Sequence, residues 1–147
     1  CPTPSSWSSS VASDGRERRA RELRVIVDAK ALELHTYVKC RSQKVFPKKD
    51  RGGLPSRMMD EATEAVSDMM DANDCDLRDA GERKLRLSMQ RAALRSLRRL
   101  SHHIEMAREL KCISEDEFAY WSRMAVSVRN QCAAWHKSDK RRCADLD

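Results

Sequence analysis

The segment from Glu82 to Lys111 has the periodicity of one long amphipathic helix, and this feature restricts the fold most. At about 100° per residue, its apolar and basic residues fall on different sides of the helix. The apolar side consists of Leu85, Met89, Ala92, Ala93, Leu97, Leu100, Ile104 and Ala107. The other side, here named the basic stripe, consists of Lys84, Arg91, Arg95, Arg98 and His102, with Arg99 at its edge. Such a helix buries one side and presents guanidinium groups, which bind phosphate and carboxylate groups by paired hydrogen bonds.

Composition favours an all-α protein of one domain. The 147 residues include four glycines and four prolines, 35% are charged and only 5% are aromatic. Helix-forming residues therefore dominate and turn-forming residues are scarce. The formal net charge of +6 indicates an anionic partner, although the arrangement of the charge matters more than its total.

Three further segments are predicted to be helices. The first runs from about Arg19 to Val45, where Pro47 stops it. The second begins near Pro55 and carries an acidic polar face. The fourth opens with a capping box of Ser114 and Glu117 and ends near His136. The predicted core residues of helix one are Leu23, Val27, Ala31, Leu34, Val38 and Val45; those of helix two are Met58, Met59, Ala62, Ala65, Val66, Met69 and Met70; those of helix four are Phe118, Trp121, Met124, Ala125, Val128, Cys132 and Trp135.

Four amphipathic helices with short connections predict an all-α, antiparallel up-down-up-down four-helix bundle over residues 19–137. A Ser- and Pro-rich segment, residues 1–18, is predicted to be disordered. Residues 138–147 are predicted to form a charged C-terminal tail.

The six cysteines show no C-x-x-C pair and no regular spacing. Reduced thiols in the cytoplasm are therefore expected, with Cys40 and Cys132 packed as small apolar groups. No stretch of the sequence approaches the length of a membrane span, and the first residues lack the apolar segment of a signal peptide. We expect no membrane association.

Catalytic patterns are not found in the sequence. Gly52-Gly53 lacks the spacing of a phosphate-binding loop, and the paired Glu-x-x-His motifs of a di-iron bundle do not occur. His102 and Glu105 have helical i, i+3 spacing, but a single pair is typical of ordinary surface residues. We expect no enzymatic activity, no metal and no cofactor.

Segregated basic charge favours binding to a phosphate backbone. Besides the basic stripe, positive charge collects in the loop after helix one and in the tail after helix four. The predicted nucleic-acid contacts are Lys48, Lys49, Arg51, Lys84, Arg91, Arg95, Arg98, Arg99, Lys140, Arg141 and Arg142. The alternative is that the acidic residues of helix two neutralise the stripe, within one chain or between two copies.

Several short motifs, in their order along the chain, resemble the four-helix accessory variability determinant proteins of diversity-generating retroelements. These are the run FPKKDR after helix one, Ala72-Asn73 at the end of helix two, Glu82-Arg83 at the start of helix three, and the phrase ISEDEFAYW in helix four. The resemblance covers about Glu22 to Arg142.

The resemblance implies a homopentamer of four-helix bundles with a basic surface. It implies a non-catalytic, bacterial or phage-encoded protein that binds a reverse transcriptase and its template RNA, with the cDNA as a further ligand. The positions carried over are Lys48, Lys49, Arg51, Arg91, Arg95 and Arg98. The same family includes bundle proteins encoded in ribosomal RNA intervening sequences, so a structural scaffold that contacts only proteins is the alternative function.

Overall fold

The computed structural model describes residues 24–147, and within them the chain forms four α-helices and no strand. Helix α1 covers residues 24–41, α2 Leu54–Asp74, α3 Ala80–Glu109 and α4 Glu115–Leu146. A short 3-10 turn, Lys48–Asp50, lies between α1 and α2. The all-α fold class is thus confirmed for this part of the chain. The segment predicted to be disordered, residues 1–18, lies outside the described residues.

The predicted core face of α1 is wrong for the described residues of the helix, whereas Val45, beyond its end, is partly buried against the core and Leu23 lies outside the described residues. Val27, Leu34 and Val38 are 59%, 66% and 58% exposed, and Ala31 is exposed as well. The buried residues lie on the opposite side of the helix: Val25, Ile26, Ala29, Leu32, Thr36 and Cys40. Both sides of α1 carry aliphatic residues at helical spacing, so periodicity alone does not decide which side enters the core.

Helix α1 also ends at residue 41, before the expected Val45. The chain turns at Ser42, whose carbonyl accepts from the Val45 and Phe46 amides. This turn brings Phe46 into the core, where it is only 2% exposed. Burial of a large aromatic side chain is worth more than another helical turn, so the helix ends before Pro47 could stop it.

The capping box that begins α4 is confirmed. The Ser114 hydroxyl accepts from the Glu117 amide at 3.1 Å, and the Glu117 carboxylate accepts from the Ser114 amide at 3.2 Å. The same carboxylate accepts from Lys39 Nζ at 2.7 Å, which joins the start of α4 to α1.

Helix α4 continues to Leu146, through the residues predicted to be a tail. The buried positions Trp121, Ala125, Val128, Cys132 and Trp135 are as predicted, and Asp139 and Cys143 continue on the same side of the helix, each four residues further on. These two buried residues are the reason that the helix does not end near His136.

Candidate nucleic-acid interface

The basic stripe of α3 is on the outside of the molecule. Ala93, Leu97, Leu100, Ile104 and Ala107 enter the core as predicted. Lys84, Arg91, Arg95, Arg98 and Arg99 are all exposed, and at about 100° per residue they lie roughly opposite those core residues. Within residues 24–147 these five side chains form no ion pair, so their donors face solvent.

The buried side of α3 departs from the predicted apolar side near the N-terminal end of the helix. Leu85 is 47% exposed, whereas Arg86 and Gln90 are buried. Arg86 is buried because it meets a buried carboxylate on α4, Asp139, which the prediction left in the tail. Near its N-terminal end, α3 is therefore joined to α4 by polar contacts instead of by an apolar seam.

The core of this junction is Asp139, which is fully buried. Its Oδ2 accepts from Arg86 Nε at 2.7 Å and from Gln90 Nε2 at 2.6 Å, and its Oδ1 accepts from Arg142 Nη2. Arg86 also lies over the Trp135 ring, 5.2 Å from its centre. A buried carboxylate with this many donors fixes the register of α4 against α3.

Two more contacts extend the junction. His136 Nδ1 lies 2.9 Å from Gln90 Oε1. Because Gln90 uses its amide nitrogen for Asp139, its oxygen faces His136, and the neutral histidine then donates from Nδ1. At the very end of the chain, Arg83 Nη2 donates to Asp147 Oδ1 at 2.7 Å.

The junction brings the basic stripe next to the basic end of α4. Burial has the largest effect on the pKa of His136 and lowers it. The positive charges of Lys140 and Arg91 lower it further, and the negative charge of Asp139 opposes them. Lys140 and Arg91 thus both lie near the same imidazole, although they are on different helices. One predicted contact of α3 and one of the C-terminal residues are therefore close to the same side chain, and Arg141 is exposed as well.

Arg142 differs from the other predicted contacts. Its guanidinium group is half-buried and paired with Asp139. We therefore assign Arg142 to the junction between α3 and α4 and do not count it as a phosphate ligand.

The predicted contacts in the loop lie at the other end of the bundle. Lys48 and Lys49 are exposed, while Arg51 is half-buried and donates from Nη2 to the Arg41 carbonyl at 3.2 Å. Burial raises the pKa of Cys112, and the nearby charge of Asp50 adds to this effect. The loop therefore lies near the connection between α3 and α4, about the length of α3 away from Asp147.

The acidic residues of helix two lie beside one edge of the basic stripe. Burial raises the pKa of Asp68, Glu64 and Asp71 raise it further, and Arg95 opposes them. Burial likewise raises the pKa of Glu61. The hydrogen bond with His103 and the nearby positive charge of Arg99 oppose this rise. Arg95 and Arg99 thus face carboxylates at more than ion-pair distance, which leaves their guanidinium groups open to another ligand.

The thiols and titratable groups of the described residues form no metal centre. Within residues 24–147, no group of three or more His, Cys, Asp or Glu is arranged to hold an ion. Burial raises the pKa of Cys40 and of Cys132 to about 12, so both are neutral packing groups, as expected. In the same part of the chain, no helix combines the length and apolar character needed to cross a bilayer.

A scan of protein-family models finds none that matches this chain, and a search of curated proteins finds no match.

Two histidines should make stability dependent on pH. Burial lowers the pKa of His35, with Lys39 adding to it and Glu117 opposing it, and burial also lowers that of His136. The folded state thus favours the neutral rings, and the unfolded chain takes up more protons below about pH 6.5. The stability that these rings contribute is complete above that pH and is lost as the pH falls below it.

Urea unfolding between pH 7.5 and pH 5 measures this effect. We expect the free energy of unfolding to fall with pH, and to fall less in the variant His35→Phe. The ring of His35 packs against Tyr120 and Trp121, and its buried Nε2 has no hydrogen-bond partner within residues 24–147. His102→Gln is the control, because His102 is exposed. An equal pH dependence in native and His35→Phe protein would contradict the prediction.

Proposed function

We propose that this chain is a non-catalytic nucleic-acid-binding accessory protein of a reverse transcriptase in a bacterial or phage diversity-generating retroelement. Its ligand would be the template RNA, with the cDNA as a further ligand, and its location the cytoplasm. The observation that supports nucleic-acid binding is the basic stripe, which is exposed opposite the core and has Arg91 near the same histidine as Lys140 of α4. The resemblance of FPKKDR and ISEDEFAYW to accessory variability determinant proteins supports the retroelement role and a homopentameric assembly.

The proposal includes an antiparallel up-down-up-down arrangement of the four helices. Cross-helix contacts support it. Thr36 of α1 accepts from Trp121 of α4 at 3.1 Å, and Asp28, earlier in α1, accepts from Gln131, later in α4. Residue numbers therefore rise along one helix as they fall along the other. This topology places α3 between α2 and α4, where its outer side remains free for a ligand.

Binding would follow the phosphate backbone and depend little on base sequence. The stripe offers guanidinium groups in a row along a helix, which suits evenly spaced phosphates. Tyr120 is the exposed aromatic residue of α4, and it lies beside α1, away from the stripe. A surface without stacking residues reads charge and shape instead of base identity.

Fluorescence anisotropy with a labelled structured RNA tests the proposal. We expect binding at 50 mM salt that weakens steeply by 200 mM, because bound phosphates release counterions. RNAs of unrelated sequence but equal length should bind similarly. Absence of binding at 50 mM salt, or an affinity that salt leaves unchanged, would contradict the proposal.

A scaffold that contacts only proteins is the second candidate. Asp60, Glu64 and Asp71 are exposed on α2, so the acidic face of one copy could meet the basic stripe of another. Such an assembly should dissociate as salt rises, which light scattering detects. The genes that flank this one test the retroelement context directly, since a reverse transcriptase beside a pair of near-identical repeats is expected.

A further inference from the structure

Helices α3 and α4 pack side by side in opposite directions, and two contacts fix how their residues are matched. At one end, the Arg108 guanidinium lies over the Phe118 ring, 4.5 Å from its centre. Further along, Gln90 Oε1 lies 2.9 Å from His136 Nδ1. The two contacts are about five full turns apart on each helix, so they lie on one side of α3 and on one side of α4. The level of any other pair follows by counting residues from them.

Arg129 of α4 lies on the side of that helix that faces α3. At about 100° per residue it is within about 20° of the direction that Phe118 and His136 share, and it is exposed. Counting from the same contacts, Arg98 of α3 is at the level of Arg129 to within about one residue. The two arginines therefore flank the line along which the exposed sides of α3 and α4 meet.

A second level on this line also carries cations from both helices. About two turns further along, Arg91 of α3 and Lys137 of α4 lie at nearly the same level, and both are exposed. Lys140 follows one turn later on α4, near the imidazole that Arg91 also approaches. We name this line the outer seam; it is lined by Arg91, Arg98, Arg129, Lys137 and Lys140.

No exposed carboxylate accompanies these cations along the outer seam. Between Arg83 and Ile104 the sequence of α3 has no acidic residue, and between Trp121 and Lys140 α4 has only Asp139, which is fully buried. Neither Arg129 nor Lys137 forms an ion pair in the part of the chain that the structure describes. Like charges gathered in this way repel one another, and a polyanion laid between them removes that repulsion.

We infer that one strand of the bound RNA lies along the outer seam, with phosphates held by Arg91 and Arg98 on one side and by Arg129 and Lys137 on the other. The inference rests on the proposed nucleic-acid binding and deepens it, because Arg129 and Lys137 are not among the predicted contacts. The acidic face of α2 borders the basic stripe on its other edge. Since carboxylates repel phosphates, the strand lies toward α4 and not toward α2.

Anisotropy titrations of Arg129→Glu combined with Lys137→Glu test the inference. We expect binding at physiological salt to weaken by at least about 20-fold, because two charge-assisted contacts become repulsions. The matched control, Arg123→Glu combined with Lys30→Glu, changes the net charge equally. Arg123 is exposed on the α1 side of α4, and Lys30 is exposed on α1. The control should weaken binding by about threefold at most, since charges away from the ligand are screened.

Two neighbouring alanines give a second test that removes no basic residue. Ala133 and Ala134 are both exposed, but only Ala133 lies on the outer-seam side of α4, four residues from both Arg129 and Lys137. A carboxylate at position 133 would pair with these cations and repel phosphate. We expect Ala133→Glu to weaken binding by about 10-fold and Ala134→Glu by about twofold at most. Glutamate is a good helix former, so both variants should fold, which circular dichroism checks.

The native chain, titrated in parallel, separates this inference from the proposed function. If the native chain binds no RNA at 50 mM salt, both fail. If it binds, the inference alone is overturned by equal losses in the two double variants, or by equal losses in Ala133→Glu and Ala134→Glu. Native-like binding by the outer-seam double variant would overturn it as well, since the strand would then lie on another surface.

Discussion

Replacing Arg91, Arg95 and Arg98 with glutamate is expected to weaken RNA binding by at least about 100-fold at physiological salt. A 100-fold loss corresponds to about 2.8 kcal/mol, which is modest for three charge-assisted contacts turned into repulsions. The slope of log affinity against log salt should also become shallower by about 2 to 3, since three phosphate contacts are lost and each contributes about 0.7 to 0.9. Anisotropy titrations at several salt concentrations measure both quantities.

The three arginines are exposed and opposite the core, so their replacement should leave the bundle folded. The matched control replaces Arg24, Arg57 and Arg123 with glutamate, which changes the net charge by the same amount on α1, α2 and α4. These three residues are exposed as well. If both variants lose affinity equally, only net charge matters and the basic stripe is not the site. If the stripe variant binds like the native chain, RNA contacts another surface.

The stripe itself was predictable from sequence, because exposed charge follows directly from helical periodicity. The register of α3 followed from Ala93, Leu97 and Ile104, whose spacing leaves one possible buried side. The position of Arg91 and Lys140 near the same histidine was not predictable. It depends on the helical extension of α4 past His136, and the sequence SDKRRCADLD is polar enough to be typical of a tail.

Two sequence patterns led to wrong predictions, the core face of α1 and the end of α4, for opposite reasons. Helix α1 offers two apolar sides, and only packing against α2 and α4 selects Ala29 and Leu32 over Leu34. In α4 the helical spacing of buried positions does continue past His136, but the first of the added positions is polar. Asp139 and Cys143 follow Trp121, Ala125, Val128, Cys132 and Trp135 on the same side of the helix. An aspartate at a core position is costly unless a partner is buried with it, and no local pattern reveals a partner more than 50 residues away.

That partner makes Asp139 the most sensitive position outside the apolar core. We expect Asp139→Leu to lower the free energy of unfolding by about 3–5 kcal/mol, because Arg86, Gln90 and Arg142 would all lose a buried carboxylate that accepts from them. Arg86 is only 3% exposed, so solvent cannot replace the lost carboxylate. Urea denaturation followed by circular dichroism measures the change. Asp145→Leu is the control, since Asp145 is exposed on the same end of α4 and should change stability by about 0.5 kcal/mol at most.

The double variant Arg86→Met with Asp139→Leu separates two explanations for that loss. If the cost comes from the lost ion pair between Arg86 and Asp139, removing Arg86 as well should restore most of the stability, because an apolar pair can fill the space of an ion pair. If the cost comes from lost packing, the two losses should add. Gln90 would still lose its acceptor in the double variant, so about 1 kcal/mol of the deficit should remain. The restored bundle would have fewer polar contacts to fix the register of α4 against α3, so the position of Lys140 relative to Arg91 would be less well defined. We therefore expect weaker RNA binding in a variant whose stability is nearly native, which would link the buried junction to the exposed surface.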